Sequence, residues 1–184
     1  MDEKEAIRLL MKKDLRGLTW IMEKYQVRAL RSAVLVTRDR DLAEDVVQGK
    51  FVELYRKMRT FDPNRPFAPW FLRGVINAAI DVSHSEHYEM PSTDCLAEFE
   101  RLADRTMLPE TKLIQKELTK RVQESLMMLS PEQRGTIVMR YYLEMSEEEI
   151  AETAKVPKGT VKWRLHNARR RLQRILSYKS EKEE

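Results

Sequence analysis

The chain has 184 residues, of which 42% are hydrophobic and 35% are charged, and its formal net charge is +4. Five glycines argue against a β-rich fold, and the single cysteine excludes an internal disulfide and suits a reducing compartment. Because the sequence opens with charged residues and contains no apolar run near about 18 residues, we expect a cytoplasmic protein without a membrane segment.

Three amphipathic helices are predicted in the first part of the chain, over 2–13, 15–36 and 40–59. Apolar residues recur there every three or four positions, which is the spacing of one buried helix face. Asp14 and Asp39 precede the second and third helices, where an aspartate can cap free backbone amides. Gly49 lies inside the third helix, at a cost of about 1 kcal/mol relative to alanine.

A proline-rich segment follows these helices. Its three prolines cannot continue a helix, so 60–69 is predicted to be an ordered loop carrying two aromatic residues. A fourth helix is predicted from Trp70 to Val82. Four helices of this kind can bury a core of their own, and we therefore expect 1–84 to form a first small helical domain.

Residues 85–109 are rich in acidic side chains and are predicted to be a flexible linker. His84, His87 and Cys95 are three potential metal ligands around its start, which leaves a metal site as an alternative. Since no closely spaced cysteine pair accompanies them, we predict no metal.

A second helical domain is predicted over 110–177, followed by a charged tail at 178–184. Its first helix covers 110–129. Ser130 and Ser146 each open a capping box, completed by Gln133 and Glu149. The segment 156–159 contains proline and glycine and is predicted to interrupt the helical pattern, which restarts at Thr160.

The last helix has one apolar stripe and a basic outer surface. Val161, Leu165, Ala168, Leu172 and Ile175 recur at spacings of four and three, which predicts one buried face. Between 158 and 179 there are eight basic residues and no acidic one. A short helix, a tight turn and a basic second helix indicate a helix-turn-helix that binds nucleic acid.

The sequence contains no pattern typical of a catalytic site. It has no glycine-rich phosphate loop, no H-E-x-x-H motif and no recognisable nucleophile with its base. We therefore expect a protein that is not an enzyme and has no cofactor. A free-standing helix-turn-helix regulator is the alternative function, and a nucleic-acid-modifying enzyme is a more distant one.

Two blocks of motifs, in this order, carry a family resemblance. The first runs from Ala43 through Phe61-Asp62-Pro63 to Asp81, and the second from Leu129-Ser130-Pro131 to Arg169. With these blocks the chain resembles an extracytoplasmic-function (group 4) sigma factor of the sigma-70 family, the initiation subunits of bacterial RNA polymerase.

The resemblance implies two all-α domains with divided roles. The first domain is expected to bind the β′ clamp of core RNA polymerase and the −10 promoter element, and the second the −35 element and the β flap. An anti-sigma factor is the expected protein partner.

The resemblance also implies roles for individual residues. The −10 candidates supply stacking surfaces and polar edges for a flipped base: Phe61, Asn64, Arg65, Phe67, Trp70, Arg73 and Asn77. The polymerase-binding candidates lie on the third helix: Asp45, Gln48, Glu53 and Arg56.

The −35 candidates lie on the last helix. Those expected to face bases are Lys162, Trp163, His166 and Asn167, and those expected to contact phosphates are Lys158, Arg164, Arg169, Arg170 and Arg171. Thr160, at the entry to the helix, is a further candidate for −35 DNA binding.

The sequence departs from the family pattern at several places. The family commonly has an acidic residue where Gly49 stands, a small residue at Trp163 and an arginine at Asn167. A basic run is common after Asp81 but is absent here. Contact with duplex DNA upstream of the −10 element is therefore expected to be weaker, or to depend on pH through His84 and His87.

Overall fold

A computed structural model describes residues 1–85, 122 and 124–180 of the chain. Every regular element in these ranges is helical, as predicted. The elements are α1 (Glu3–Met11), α2 (Leu15–Thr37), α3 (Arg40–Lys57), a 3₁₀ turn (Met58–Thr60), α4 (Phe67–Ser85), α5 (Pro131–Ile137), a π-helical turn (Val138–Tyr142), α6 (Glu147–Ala154) and α7 (Lys158–Ser180). The predicted linker and most of the predicted helix over 110–129 lie outside the described residues.

Side-chain caps determine where most of these helices begin. Asp14 accepts a hydrogen bond from the Arg16 amide, and Asp39 accepts one from the Leu42 amide, as the sequence predicts. Both predicted capping boxes are also present, at Ser130 and Ser146. Each cap provides a partner for an amide that the first helical turn leaves free.

The fourth helix begins earlier than the sequence predicts. It starts at Phe67 rather than Trp70, so the loop is limited to the residues just before it. Pro69 lies in the first turn, where no backbone amide has an intrahelical partner, and a proline there breaks no hydrogen bond. The prediction that all three prolines exclude helix was wrong for Pro69.

The last helix also begins earlier, at Lys158 rather than Thr160. The carbonyl of Pro157 accepts hydrogen bonds from the amides of Thr160 (2.9 Å) and Val161 (3.3 Å), which form its first turn. Gly159 therefore lies within the helix instead of interrupting it. The helix continues to Ser180.

Aromatic rings form the centre of the first helical group, α1–α4. The rings of Phe67 and Phe71 stack 5.7 Å apart, and Tyr25 lies 5.4 Å from Phe67. Phe61 meets Phe67 edge-on at 5.6 Å, so the loop before α4 is fastened to the core. Such aromatic pairs add roughly 0.5–1.5 kcal/mol each beyond the area they bury.

The second helical group, α5–α7, packs on α2 and α4 of the first, and we call this interface the seam. The buried apolar residues of the two groups form one continuous cluster. Gly135 of α5 permits the contact, because a β-carbon there would lie 2.4 Å from Cδ1 of Ile80 on α4. Helix α6 also contacts α4, which brings the predicted helix-turn-helix against the first group.

Candidate nucleic-acid interface

The last helix is oriented by its buried stripe. Val161, Leu165 and Ala168 are at most 1% exposed, as the 3.6-residue period predicts. Leu172 and Ile175 continue the stripe and are half-buried. Burial of this face directs the opposite, basic face of α7 towards solvent.

The outer face of α7 presents most of the predicted −35 residues. Trp163 is 63% exposed, so its indole is a surface group and not part of the core. Five other candidates are exposed: Lys158, Lys162, His166, Arg169 and Arg170. Three are half-buried: Thr160, Arg164 and Asn167. The helix thus brings the predicted set together on one accessible surface.

Three contacts restrain side chains on this surface. Lys158 forms an ion pair with Glu148 of α6, which joins the two helices of the helix-turn-helix. Asn167 donates from Nδ2 to the carbonyl of Trp163 at 3.0 Å. Arg169 donates from Nε to the hydroxyl of Tyr141 at 2.8 Å.

The loop before α4 presents fewer stacking surfaces than predicted. Phe61 and Phe67 are 4% and 1% exposed, respectively, because their rings pack against the aromatic core. Neither ring can stack on a base in this arrangement, and their role here is to hold the loop in place. Trp70 is half-buried, with its ring centre 4.7 Å from that of Phe61.

The polar groups of the same loop are accessible. Asn64 and Arg65 are exposed. Asp62 orders the turn, because its Oδ1 accepts a 3.0 Å hydrogen bond from the Asn64 amide. The Arg65 guanidinium lies 3.7 Å from the same carboxylate, a distance typical of a loose surface ion pair.

Arg73 and Asn77, the predicted −10 residues on α4, contact α6. Arg73 donates from Nη2 to Oε1 of Glu149 at 2.6 Å. Asn77 donates from Nδ2 to the carbonyl of Thr153 at 3.0 Å. Both side chains are half-buried, so the −10 candidates are divided between an exposed loop and a covered helix face.

The predicted polymerase-binding residues lie on α3 in different environments. Asp45, Gln48 and Arg56 are exposed. The Glu53 carboxylate accepts a 2.7 Å hydrogen bond from Nζ of Lys50 and a 2.8 Å hydrogen bond from Nζ of Lys57. These two bonds, of which the one from Lys50 has the larger effect, lower the pKa of the carboxyl to about 2. Glu53 thus remains ionised and internally paired.

A groove runs between α2 and α3 beside Gln48. Its volume is about 400 Å³. Apolar side chains line it, with a polar rim: Met22, Val27, Leu30, Val47 and Phe51, rimmed by Gln26, Glu44 and Gln48. Met22 and Val27 are 37% and 41% exposed, respectively, so the groove presents apolar surface to solvent.

Only His84 of the alternative metal site lies among the described residues. His84 is paired through Nε2 with Oε1 of Glu132 at 3.0 Å, while His87 and Cys95 fall outside the described residues. The described part of the chain holds no group of three or more metal-ligand side chains. Nor do the helices in that part include one long and apolar enough to cross a membrane.

Sequence reasoning missed three residues that organise this interface: Tyr141, Arg134 and Gly135. Tyr141 is 59% exposed and lies in the second motif block but outside the apolar periodicity, so no role was assigned to it. Arg134 is 2% exposed although it lies in a charged, capped segment. Gly135 gives no local signal, because its role depends on a helix that is distant in sequence.

Two protein-family models match the chain. Residues 21–86 match the model described as sigma-70 region 2, and residues 119–172 match sigma-70, region 4. Together these matches cover more than half of the chain, in the order of the two motif blocks.

Two curated relatives align with most of this chain, including both matched regions. The chain is 29% identical over 179 residues to the ECF RNA polymerase sigma factor SigW of Bacillus subtilis, covering 94% of this chain and 96% of that protein. It is 30% identical over 164 residues to the ECF RNA polymerase sigma-E factor of Haemophilus influenzae, covering 85% of each.

Solved structures share the fold. CnrH, solved in complex with the cytosolic domain of CnrY, matches with a TM-score of 0.65 at 21% identity, covering 96% of this chain and 97% of that one. RpoE, solved with the anti-sigma factor NepR from Bartonella quintana, matches with a TM-score of 0.58 at 21% identity, covering 90% and 96%.

Proposed function

The chain belongs to the sigma-70 family as an ECF sigma factor, and from that premise we propose that it binds core RNA polymerase and directs promoter-specific transcription initiation. The observation that carries the proposal is the presence of both family regions, in order, with a basic and accessible outer face on α7. A free-standing helix-turn-helix regulator has no need of the region 2 match, so that alternative is not favoured. The sigma-70 family is not catalytic, and we propose no enzymatic activity.

We propose that two functional units divide the work. Residues 1–84 would contact the polymerase and the −10 element, residues 85–109 would link the units, and residues 110–177 would read the −35 element and meet the β flap. The matched ranges, 21–86 and 119–172, support this division because each lies largely within one unit.

For the polymerase contact we propose the groove between α2 and α3 together with Asp45 and Gln48. An apolar floor with a polar rim is the composition of a protein-binding patch, and a helix of the β′ clamp is its proposed occupant. Arg56 extends this surface. Glu53 is the weakest of the four candidates, because two lysines already neutralise it.

For the −10 element we propose contacts from the loop and from α4. Asn64 and Arg65 offer a polar edge and a cation, and Trp70 offers part of an aromatic face. Arg73 and Asn77 extend this surface along α4. We assign Phe61 and Phe67 a supporting role, since both rings are buried.

For the −35 element we propose that α7 enters the major groove. Lys162, Trp163, His166 and Asn167 would meet base edges near its amino-terminal end. The remaining candidates would contact phosphates and fix the register of the helix: Lys158, Thr160, Arg164, Arg169 and Arg170.

We further propose that the protein acts in the cytoplasm and is controlled by an anti-sigma factor. The structural relatives CnrH and RpoE were each solved with a partner protein, and the partner of RpoE, NepR, is an anti-sigma factor. Both structures share the fold of this chain over most of its length. This supports a surface on this chain that is similar to the one at which those proteins bind their partners.

One experiment tests the main proposal. The purified chain is added to core RNA polymerase on genomic DNA templates, and the transcripts are sequenced. We expect discrete start sites that are absent with core enzyme alone. A folded sample that gives no specific start sites would overturn the proposed function.

A further inference from the structure

Trp163 faces away from the buried side of α7. Val161 and Leu165, which are at most 1% exposed, lie two positions before and two positions after it, and two positions correspond to about 200° around a helix. Trp163 is 63% exposed, and no large apolar residue among the described side chains is more exposed. The indole therefore lies at the centre of the outer face of α7.

The indole has no partner in the described part of the chain. Its Nε1 donates to no acceptor there, and its ring pairs with no aromatic ring or cation. The 3.0 Å hydrogen bond from Nδ2 of Asn167 is accepted by the backbone carbonyl of Trp163 and does not involve the ring. Packing within the fold thus gives no reason for a tryptophan at this position. A partner that covers the ring gains the free energy of burying its apolar surface.

The charge of the surrounding surface indicates what kind of partner covers the ring. Lys162, His166 and Arg170 are exposed on the same side of α7. Between 158 and 179 there are eight basic residues and no acidic one. A surface of this sign attracts the phosphates of DNA, which favours DNA over a second protein as the partner of the indole.

The surface next to the indole is open enough for a base pair to approach the helix. Gly159 lies one helical turn before Trp163, and a β-carbon there would meet no atom within 4 Å. The space on that side of α7 is therefore free of protein atoms. An indole projecting from the outer face can reach the floor of a major groove that contains the helix.

Thymine differs from the other bases in offering an apolar group in the major groove. Its edge carries the 5-methyl group, whereas adenine, guanine and cytosine present only hydrogen-bond donors and acceptors there. The indole N–H can donate to acceptors at several kinds of base, so it discriminates poorly. The apolar surface of the ring discriminates better, because one base alone has a group that can be buried against it.

We propose that Trp163 selects a thymine in the −35 element by burying the 5-methyl group of that base against its indole. The inference rests on the proposed function, because it takes α7 as the helix that enters the −35 major groove. It goes beyond that function by naming the base and the group on it that this residue recognises. Lys162 and its neighbours contribute polar contacts, whereas Trp163 contributes an apolar one.

Removal of single methyl groups from promoter DNA tests the proposal. Deoxyuridine keeps every hydrogen-bonding group of thymidine and lacks only the 5-methyl group. Promoter fragments from a start site mapped as above are made with each thymine of the −35 element, on either strand, replaced in turn by deoxyuridine. Holoenzyme assembled from the full chain and core polymerase is then tested for binding to each fragment in competition with a labelled, unmodified fragment.

We expect at least one thymine at which loss of the methyl group weakens binding by wild-type holoenzyme about fourfold. This is the factor that corresponds to burial of one carbon group, about 0.8 kcal/mol. Trp163→Ala holoenzyme should bind the substituted and unmodified fragments equally. Trp163→Phe, which keeps an apolar ring and lacks the N–H, should retain the methyl dependence. Because the side chain is exposed, we expect these variants to fold normally, which circular dichroism checks.

Arg170→Ala is the matched control, because Arg170 lies on the same face of α7 and is a proposed phosphate contact. It should weaken binding to both fragments by the same factor and leave their ratio unchanged. The proposal is overturned by a −35 element without thymine, by the absence of a methyl effect at every thymine, or by an equal methyl effect in Trp163→Ala. Failure of Trp163→Ala to assemble with core polymerase would assign the indole to a protein contact and would also overturn it.

The same data separate this inference from the proposed function. If wild-type holoenzyme binds the mapped fragment no better than a fragment with a scrambled −35 element, the proposed −35 role itself has failed. If binding depends on the −35 sequence but on no methyl group, the −35 role stands and the role of Trp163 in thymine selection is excluded.

Discussion

The hydroxyl of Tyr141 accepts a 2.8 Å hydrogen bond from Nε of Arg169, and the guanidinium of the same arginine lies 5.8 Å from the centre of the tyrosine ring. Tyr141 belongs to the π-helical turn after α5, whereas Arg169 lies on the outer face of α7. The turn before the helix-turn-helix thus holds one of the proposed phosphate contacts in place.

Replacing Tyr141 by phenylalanine should weaken −35 binding without changing its salt dependence. The variant keeps the ring but loses the hydrogen bond, so the Arg169 side chain is no longer held in place before DNA binds. Immobilising it on binding should reduce the binding free energy by roughly 0.5–1.5 kcal/mol. Arg169→Ala removes the charge and should lower the salt slope of log K by about 1. Fluorescence anisotropy at several salt concentrations measures both quantities. An altered slope for Tyr141→Phe would contradict a positioning role.

Lys162 and Arg170 should differ in what they contribute to DNA recognition. Lys162→Ala is expected to cost about 1–3 kcal/mol at the preferred −35 sequence and to relax the preference, because a lysine can donate to guanine O6 and N7. Arg170→Ala should weaken binding to all sequences alike and lower the salt slope. Competition with a pool of −35 variants separates the two effects. Equal loss on every sequence for Lys162→Ala would exclude base reading by that residue.

Two helical glycines should respond in opposite directions to alanine. A β-carbon on Gly49 meets no atom within 4 Å, so Gly49→Ala should stabilise the fold by up to about 1 kcal/mol through helix propensity alone. On Gly17 the same carbon would lie 2.4 Å from the carbonyl oxygen of Ala6 and 2.7 Å from the Leu10 amide nitrogen. Gly17→Ala should therefore destabilise the fold by about 1–3 kcal/mol. Urea unfolding monitored by circular dichroism measures both, and a stabilised Gly17 variant would contradict the close packing of α1 on α2.

The helices and the orientation of α7 were predictable because their signals are local. Capping residues such as Ser146 act within one turn, and the stripe of Val161, Leu165 and Ala168 follows from helix periodicity. A single sequence therefore determines which side of α7 is buried. The all-α class and the basic outer face were confirmed for the same reason.

The seam and the state of the −10 loop could not be predicted in this way. The partner of Arg134, Val36, is 98 positions away in sequence, and no local pattern encodes that distance. The sequence around Phe61 and Phe67 is compatible both with exposed rings and with buried rings, so it does not predict their burial. Pro69 shows a related difficulty, because a proline stops a helix only after its first turn.

The loop residues Asn64 and Arg65 should act in promoter melting and not in polymerase binding. Both are exposed on a turn that Asp62 orders, and neither lines the groove between α2 and α3. The double variant Asn64→Ala, Arg65→Ala should reduce open-complex formation, read as permanganate reactivity of thymines in the −10 region. Its affinity for core polymerase should match wild type. Unchanged reactivity would exclude a role for these two side chains in holding the melted strand.

The charge of Glu149 should control the seam through pH. Glu149 completes the capping box of α6 from the third helical position. Glutamine fills that position equally well, so Glu149→Gln removes the charge without removing the cap. Three hydrogen bonds lower the pKa of Glu149 below its ordinary value of 4.5. In order of decreasing effect, they come from the Ser146 amide, the Ser146 hydroxyl and Arg73.

Since the folded pKa is the lower one, the stabilisation from the ionised carboxylate is fully present above pH 4.5 and disappears as the pH falls through the folded value. The side-chain amide of Asn77, which donates to Thr153, reports the seam by NMR. At neutral pH its resonances should differ between wild type and Glu149→Gln, and on acidification the wild-type resonances should move to those of the variant. Resonances that coincide at neutral pH would show that the Arg73–Glu149 contact does not hold α6 on α4.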